Sequence, residues 1–188
     1  KPVATRLRAD LKQVADCGNA RAQYLWSRFK FCMLHMKDHN PTDSKEKELL
    51  EVFKYAVTAS KSGVQEATPW LNAVMLFRSV LGLIDNNKYD LAIEQLLKLV
   101  EVADIPDCEQ ALCQGFAQKQ LVELAKEGHI KASGWYISQM LEASEIKDTQ
   151  RGIIECDQIF TGLLKKDADV ISVQKWQEAL DPLKTNGI

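Results

Sequence analysis

Three side chains in the first quarter of the chain have the types and spacing of metal ligands. Cys32, His35 and His39 are three and then four residues apart, so an unbroken helix would place them on one face. Thiolate and imidazole are ligands that zinc accepts. The alternative is a buried thiol beside a solvated helix end, because Asn40-Pro41 follows at once. We favour the alternative and expect neither a metal nor another cofactor.

Two further cysteines, Cys108 and Cys113, are five residues apart, and no C-x-x-C pair accompanies them. We expect two thiols in a helical core there. No serine occupies a G-x-S-x-G turn, and glycine-rich phosphate loops are missing. Carboxylate pairs such as Glu123 and Glu127 have ordinary helical spacing. The sequence therefore predicts no catalytic residues and a protein that is not an enzyme.

Aromatic and arginine side chains indicate a different function. Interface hot spots use these types, because they combine a large area with a polar group. The residues that we expect to contact a protein partner are Arg21, Tyr24, Arg28, Trp70, Arg78, Trp135 and Gln139. The alternative for each aromatic is a place in the core between helices, because periodicity does not fix how each helix is rotated.

The composition argues against two classes of partner. With 24 basic and 26 acidic residues the formal net charge is -2, so nothing attracts the chain to nucleic acid or anionic lipid. No uninterrupted apolar run approaches the roughly 20 residues that cross a bilayer. The run Lys45-Glu46-Lys47-Glu48 is expected to be a solvated face.

Five scattered cysteines predict free, mostly buried thiols in a reducing compartment. We expect a cytoplasmic protein, or a periplasmic one if a signal sequence has been removed.

Glycine corners organise the chain that carries these residues. Gly18, Gly63 and Gly128 each follow a helical pattern, and an alanine stands four residues after each. A glycine just past a helix adopts the left-handed conformation that ends the helix and reverses the chain. The small residue lets the next helix approach closely. A unit that occurs three times predicts an array of helical hairpins.

Apolar periodicity predicts about nine helices and no strand. The predicted ranges are 2–16, 20–36, 45–60, 66–84, 88–103, 108–126, 130–143, 149–165 and 170–183. Pro69 is tolerated if Thr68 caps the fourth helix or if Pro69 lies in its first turn, and we favour the Thr68 cap. Gly115 is expected to weaken the sixth helix.

The corners resemble the Sel-one-like repeat family, whose members are related to tetratricopeptide repeats. That family places small residues three and four positions before a glycine, an alanine four after it and a large apolar residue eight after it. The matching residues are Val14-Ala15, Gly18, Ala22 and Trp26, then Ala59-Ser60, Gly63, Ala67 and Leu71, then Leu124-Ala125, Gly128, Ala132 and Tyr136.

The resemblance implies an α-α superhelix, a solenoid of antiparallel helix pairs whose concave side is lined by the first helix of each pair. We predict one all-α domain over residues 1–188, with an N-terminal helix at 1–17, degenerate repeats at 18–165 and a capping helix at 166–188. Such proteins are scaffolds or adaptors, often bacterial, so we predict an adaptor that binds a protein segment on the concave surface. The alternatives are a regulatory or targeting domain of a larger envelope, secretion or signalling protein, and a metal-dependent helical enzyme.

Overall fold

The computed structural model describes residues 3–36, 43–142, 158–159 and 161–163, and all of its regular structure is helical. The helices are α1 (Val3–Asp16), α2 (Ala20–Met36), α3 (Asp43–Lys61), α4 (Ala67–Asp85), α5 (Tyr89–Val100), α6 (Asp107–Lys126) and α7 (Ile130–Glu142). No strand occurs within these described ranges. The predicted all-α class is therefore confirmed.

The predicted helix bounds agree with α1 to α7 within two residues, except that α5 ends at Val100 instead of residue 103. The chain turns after α5, where Asp104 adopts a φ of 61°. Of the predicted helix at 149–165, residues 158–159 and 161–163 are described, and they are helical. The predicted capping helix at 170–183 lies outside the described residues.

The expected cap of α4 is wrong. Helix α4 begins at Ala67, so Thr68 is inside the helix and does not cap it. Pro69 is instead the third residue, in the first turn, where its missing N–H costs no helical hydrogen bond. Helix α6 continues through Gly115, and the expected weakening of the helix there stays a prediction.

Each of the three predicted corners has a glycine in the left-handed region, with φ of 91° at Gly18, 82° at Gly63 and 84° at Gly128. The N–H of Gly18 donates to the carbonyl of Ala15 at 3.0 Å, and the next N–H donates to the carbonyl five residues before it at 3.4 Å. The same two bonds recur at Gly63 and Gly128. This is the Schellman arrangement, which satisfies the carbonyls at the end of a helix.

A fourth corner of this kind joins α4 to α5 without a glycine. Asn87 adopts a φ of 55°. Its N–H donates to the carbonyl of Ile84 at 2.9 Å, and the N–H of Lys88 donates to the carbonyl of Leu83 at 2.8 Å. Asparagine tolerates the left-handed region better than other residues with a side chain. A search for glycine alone therefore misses this corner.

The chain divides into two compact units. Unit 1 consists of residues 1–82 and 97–116, and unit 2 consists of residues 83–96 and 117–188. In unit 1, α2 packs against both α1 and α3. The ring of Phe31 meets those of Trp70 and Phe77 edge-on, with centroids 5.0 and 5.2 Å away. The prediction of one continuous repeat domain stays a prediction.

A short polar chain crosses the core of unit 1. The indole N–H of Trp70 donates to the hydroxyl of Ser27 at 2.8 Å, and that hydroxyl donates to the carbonyl of Val52 at 2.9 Å. These bonds join α4, α2 and α3. Because Trp70 and Ser27 are fully buried, each bond removes the cost of an unpaired polar group.

Unit 2 has a core of its own, which includes Leu121, Ala125, Ile159 and Leu163. The backbone around residue 162 approaches the end of α6 closely. A Cβ on Gly162 would lie 2.6 Å from the carbonyl oxygen of Lys126. Only glycine fits there without a backbone shift.

One described helix, α4, has the length and apolar composition of a membrane span. Those properties are also typical of a helix in a protein core. Six of its side chains, including Trp70, Val74 and Phe77, are buried in the structure.

Candidate functional site

Three of the predicted partner-binding residues lie together on α2. The guanidinium carbons of Arg21 and Arg28 are 5.2 and 5.4 Å from the ring centroid of Tyr24. Tyr24 is only 2% exposed, so it supports the arginines and offers almost no surface to a partner. Arg21 is exposed and pairs with Glu66 at 2.7 Å.

Burial argues against direct partner contact by Trp70 and Tyr24, while the partner-binding assignment as a whole stays a prediction. Both side chains are on the core side of their helices, and Trp70 has no exposed surface. Arg28 is also engaged inside unit 1, because it donates to both carboxylate oxygens of Glu109, at 2.7 and 3.0 Å. Arg78 is half-buried, with its guanidinium 4.7 Å from the ring centroid of Phe53.

The last two predicted residues, Trp135 and Gln139, lie on α7 in unit 2, half-buried and exposed respectively. The other five belong to unit 1. The predicted set is therefore split between the two units. Neither unit contains all seven residues.

The structure shows a groove that the sequence does not predict. It has a volume of about 560 Å³ and lies entirely within unit 1. Its lining residues are Lys12, Gln23, Lys47, Leu50, Glu51, Lys54, Tyr55 and Thr58. Helix α3 contributes six of these, while α1 and α2 contribute one each.

A connected polar cluster forms the α1 side of the groove. The ammonium of Lys12 donates to Asp16 at 2.7 Å and to the hydroxyl of Tyr55 at 2.8 Å. That hydroxyl also donates to Asp16. A second carboxylate, that of Glu51, lies 3.5 Å from the same ammonium. The charge of Lys12 is therefore balanced within the cluster.

The contacts within the cluster shift the pKa values of Lys12, Asp16 and Tyr55. Burial alone would lower the pKa of Lys12, but its hydrogen bonds to Asp16 and Tyr55 outweigh burial and raise it. The hydrogen bond from Lys12, followed by that from Tyr55, lowers the pKa of Asp16. Burial, and then the hydrogen bond to Asp16, raises the pKa of Tyr55. Lys12 and Asp16 are therefore an ammonium and a carboxylate at neutral pH, which holds Tyr55 in place.

In contrast to the charge-balanced cluster around Lys12, the exposed face of α3 carries positive charges without ion-pair partners in the described part of the chain. Lys47, Leu50 and Lys54 follow one another at intervals of three and four residues, so they share a face. Both lysines are exposed, and neither forms an ion pair with any residue that the structure describes. Leu50 is 38% exposed between them. The groove thus presents two unneutralised ammonium groups around one apolar side chain.

The α2 side of the groove holds an acceptor without a donor. Gln23 is buried, and its Nε2 donates to the carbonyl of Ala15 at 3.1 Å. Its Oε1 has no hydrogen-bond partner among the described residues. A buried acceptor in this state costs about 1–3 kcal/mol.

A second cluster in unit 1 contains two thiols and a carboxylate. The sulfur atoms of Cys32 and Cys108 and a carboxylate oxygen of Glu109 all lie within 4.8 Å of one another. Burial raises the pKa of Cys32 to about 12, and the charge of Glu109 adds to this effect. Nothing in the sequence indicates that Cys32 and Cys108 are neighbours, because they are on α2 and α6.

Of the three predicted metal ligands, Cys32, His35 and His39, the structure describes the side chain of Cys32. Cys32 is half-buried on α2, and Cys108 and Glu109 lie beside it. The side chain of His35 and the whole of His39 lie outside the described residues. That hypothesis therefore stays a prediction.

The expected burial of the thiols needs correction. Cys113 is fully buried, as predicted, but Cys108 and Cys17 are exposed. Cys108 is the second residue of α6 and its side chain is exposed, so it is not a core thiol.

No family model, curated protein or solved structure matches this chain.

Proposed function

We propose that this chain is a non-enzymatic adaptor whose unit 1 groove binds an acidic peptide segment of a partner protein. The observation that carries the proposal is the row of Lys47, Leu50 and Lys54, two unneutralised lysines around an exposed leucine. Opposite charges steer association and fix the position of a bound segment, while apolar contact supplies most of the burial.

The spacing of the lysines restricts the bound sequence. Lys47 and Lys54 are seven residues apart, which is about 10 Å along a helix axis. An extended peptide rises about 3.3 Å per residue, so its matching carboxylates would be about three residues apart. An apolar side chain between them would pack on Leu50.

We also propose that the helices form a solenoid of degenerate Sel-one-like repeats. A feature shared by the three glycine corners supports this. At each corner the residue three before the glycine is linked to the residue five after it. The linked pairs are Ala15 and Gln23 at 3.1 Å, Ser60 and Thr68 at 2.9 Å, and Ala125 and Ser133 at 3.3 Å.

The alanines of the corners support the same proposal. Ala22, Ala67 and Ala132, each four residues after a glycine, are all buried. Recurrence of one local packing solution along a chain is expected of a repeat protein. An adaptor function agrees with such an architecture, since repeat proteins bind partners along extended surfaces.

The test is a binding titration with a synthetic peptide. A fluorescent peptide with two glutamates three residues apart and a leucine between them is titrated with the full chain, and anisotropy is measured. We expect saturable binding that weakens as salt is added. Two exposed ion pairs are worth about 0.2–1 kcal/mol each, so reversing both lysine charges should weaken binding roughly tenfold or more.

The matched variants keep the net charge equal. Lys47→Glu with Lys54→Glu changes the groove, and Lys98→Glu with Lys119→Glu changes two exposed lysines that do not line it. Only the first pair should weaken binding. Equal losses in both double variants would show a non-specific charge effect, and the groove would then not be the binding site.

A further inference from the structure

None of the residues in the second cluster of unit 1 lines the peptide groove. We propose that Cys32 and Cys108 form a reversible intramolecular disulfide when the surrounding thiol–disulfide balance becomes oxidising. The bond would join α2 to α6 within unit 1. The chain would then have a reduced state and a cross-linked state.

To form the bond, the two sulfur atoms must approach each other by up to about 2.8 Å. The sulfur atoms of Cys32 and Cys108 are at most 4.8 Å apart, and a disulfide bond is about 2.05 Å long. Cys108 is exposed in the first turn of α6, so its side chain has room to rotate. Cys17 is also exposed, but no other described sulfur or carboxylate forms such a cluster with it.

Exposure assigns the two thiols different roles. Cys108 reaches solvent, so its thiolate attacks a small disulfide such as oxidised glutathione, breaks the S–S bond and releases one glutathione thiolate. Cys32 is half-buried beside it and acts as the resolving thiol. It gives its proton to solvent, attacks the sulfur of Cys108 and displaces the second glutathione thiolate. Two protein thiols are thus oxidised as one glutathione disulfide is reduced.

The neighbouring charges favour this chemistry over metal binding. Glu109 accepts two hydrogen bonds from Arg28, at 2.7 and 3.0 Å. Its negative charge is therefore already balanced by a guanidinium, without a metal ion. A metal held there would need both thiols to stay deprotonated, whereas disulfide exchange needs the thiolate of Cys32 only transiently. Disulfide formation adds no charge to the cluster.

The test uses the reduced full chain, incubated with oxidised glutathione in the presence of a chelator. Mass spectrometry of the intact protein should show the loss of two hydrogens without a retained glutathione. A peptide map without reductant should contain Cys32 linked to Cys108. The thermal midpoint of unfolding should rise, because the cross-link constrains the unfolded chain. Dithiothreitol should restore the mass and the midpoint of the reduced protein.

Variants assign the order of the steps. Cys108→Ser should abolish the cross-link, whereas Cys32→Ser should trap glutathione on Cys108. Cys17→Ser and Cys113→Ser are the matched controls, and both should form the bond as the natural chain does. If a serine variant does not fold, the peptide map of the natural chain still decides the question.

Three results would overturn the proposal. The first is a cross-link that maps elsewhere, for example to Cys156, which is outside the described residues. The second is a natural chain in which Cys108 stays unmodified or keeps its glutathione. The third is stoichiometric binding of Zn²⁺ by the reduced protein that is lost in Cys32→Ser and Cys108→Ser, because the cluster would then be a metal site.

Discussion

Arg28 and Glu109 are 81 positions apart in the sequence and form a two-point ion pair in unit 1, with distances of 2.7 and 3.0 Å. The carboxylate side chain is only 4% exposed and the guanidinium side chain 25%. A carboxylate taken this far out of water requires a partner. The pair therefore makes Arg28 a structural residue that holds α6 against α2.

The first prediction concerns this pair. Arg28→Glu would place two carboxylates together beside the core of unit 1, and we expect it to lower the free energy of unfolding by about 3 kcal/mol or more. Arg21→Glu is the control, because Arg21 and Glu66 are both more than half exposed and their pair is worth at most about 1 kcal/mol. Urea denaturation followed by circular dichroism measures both. Equal losses in the two variants would contradict a structural role for Arg28.

The second prediction compares two glycines. Gly63 has a φ of 82° and open space where a Cβ would lie, so Gly63→Ala adds no clash and only backbone strain of about 1–2 kcal/mol. Gly115 is inside α6 with similar open space, and Gly115→Ala should stabilise the helix by about 0.5–1 kcal/mol. Thermal unfolding should therefore show midpoint shifts of opposite sign. Shifts of the same sign would contradict the corner assignment of Gly63.

The helices can be predicted from the sequence because their signals are local. A glycine after a helix and an apolar stripe within it act over a few residues, and the predicted bounds of α2 are the observed ones. The rotation of each helix cannot be predicted in this way, since it depends on distant neighbours. Trp70 has the residue type of a partner contact, yet its indole N–H is satisfied by Ser27 in the core.

The groove could not be predicted from the sequence either, because it also depends on residues that are distant in the sequence. The charge-alternating start of α3 has the composition of a solvated face, and it becomes a groove wall only where Lys12 and Gln23 from other helices close it. The contact of Cys32 with Cys108 is likewise long-range. The spacing of Lys47, Leu50 and Lys54 is a local signal, but it is common on exposed helix faces.

The third prediction concerns Gly162 in unit 2. A Cβ there would lie 2.6 Å from the carbonyl oxygen of Lys126 and 3.2 Å from the backbone nitrogen of Gly128. Both atoms belong to the backbone, so neither can move aside cheaply. We expect Gly162→Ala to destabilise unit 2 by about 1–3 kcal/mol. Hydrogen exchange at the amides of α7 should be faster in the variant, and unchanged exchange there would contradict the close approach.

The fourth prediction concerns alkaline pH. Burial raises the pKa of Cys113 from its ordinary value of 9.0 to about 12. Between these two values the folded protein keeps the thiol proton while the unfolded chain loses it. The unfolded state then binds fewer protons, so the free energy of unfolding falls as pH rises. This contribution is fully present below pH 9 and is lost as pH approaches 12.

Cys113→Ala tests this contribution. The variant has a lower stability at neutral pH because it leaves a cavity, but its free energy of unfolding should fall less steeply above pH 9. Lys12 and Tyr55 also have raised pKa values, so part of the alkaline loss should remain in the variant. Cys17→Ala, a substitution at an exposed thiol, is the control variant. Urea denaturation at several pH values gives the slopes, and an unchanged slope in Cys113→Ala would mean that the thiol of Cys113 is not protected by the fold.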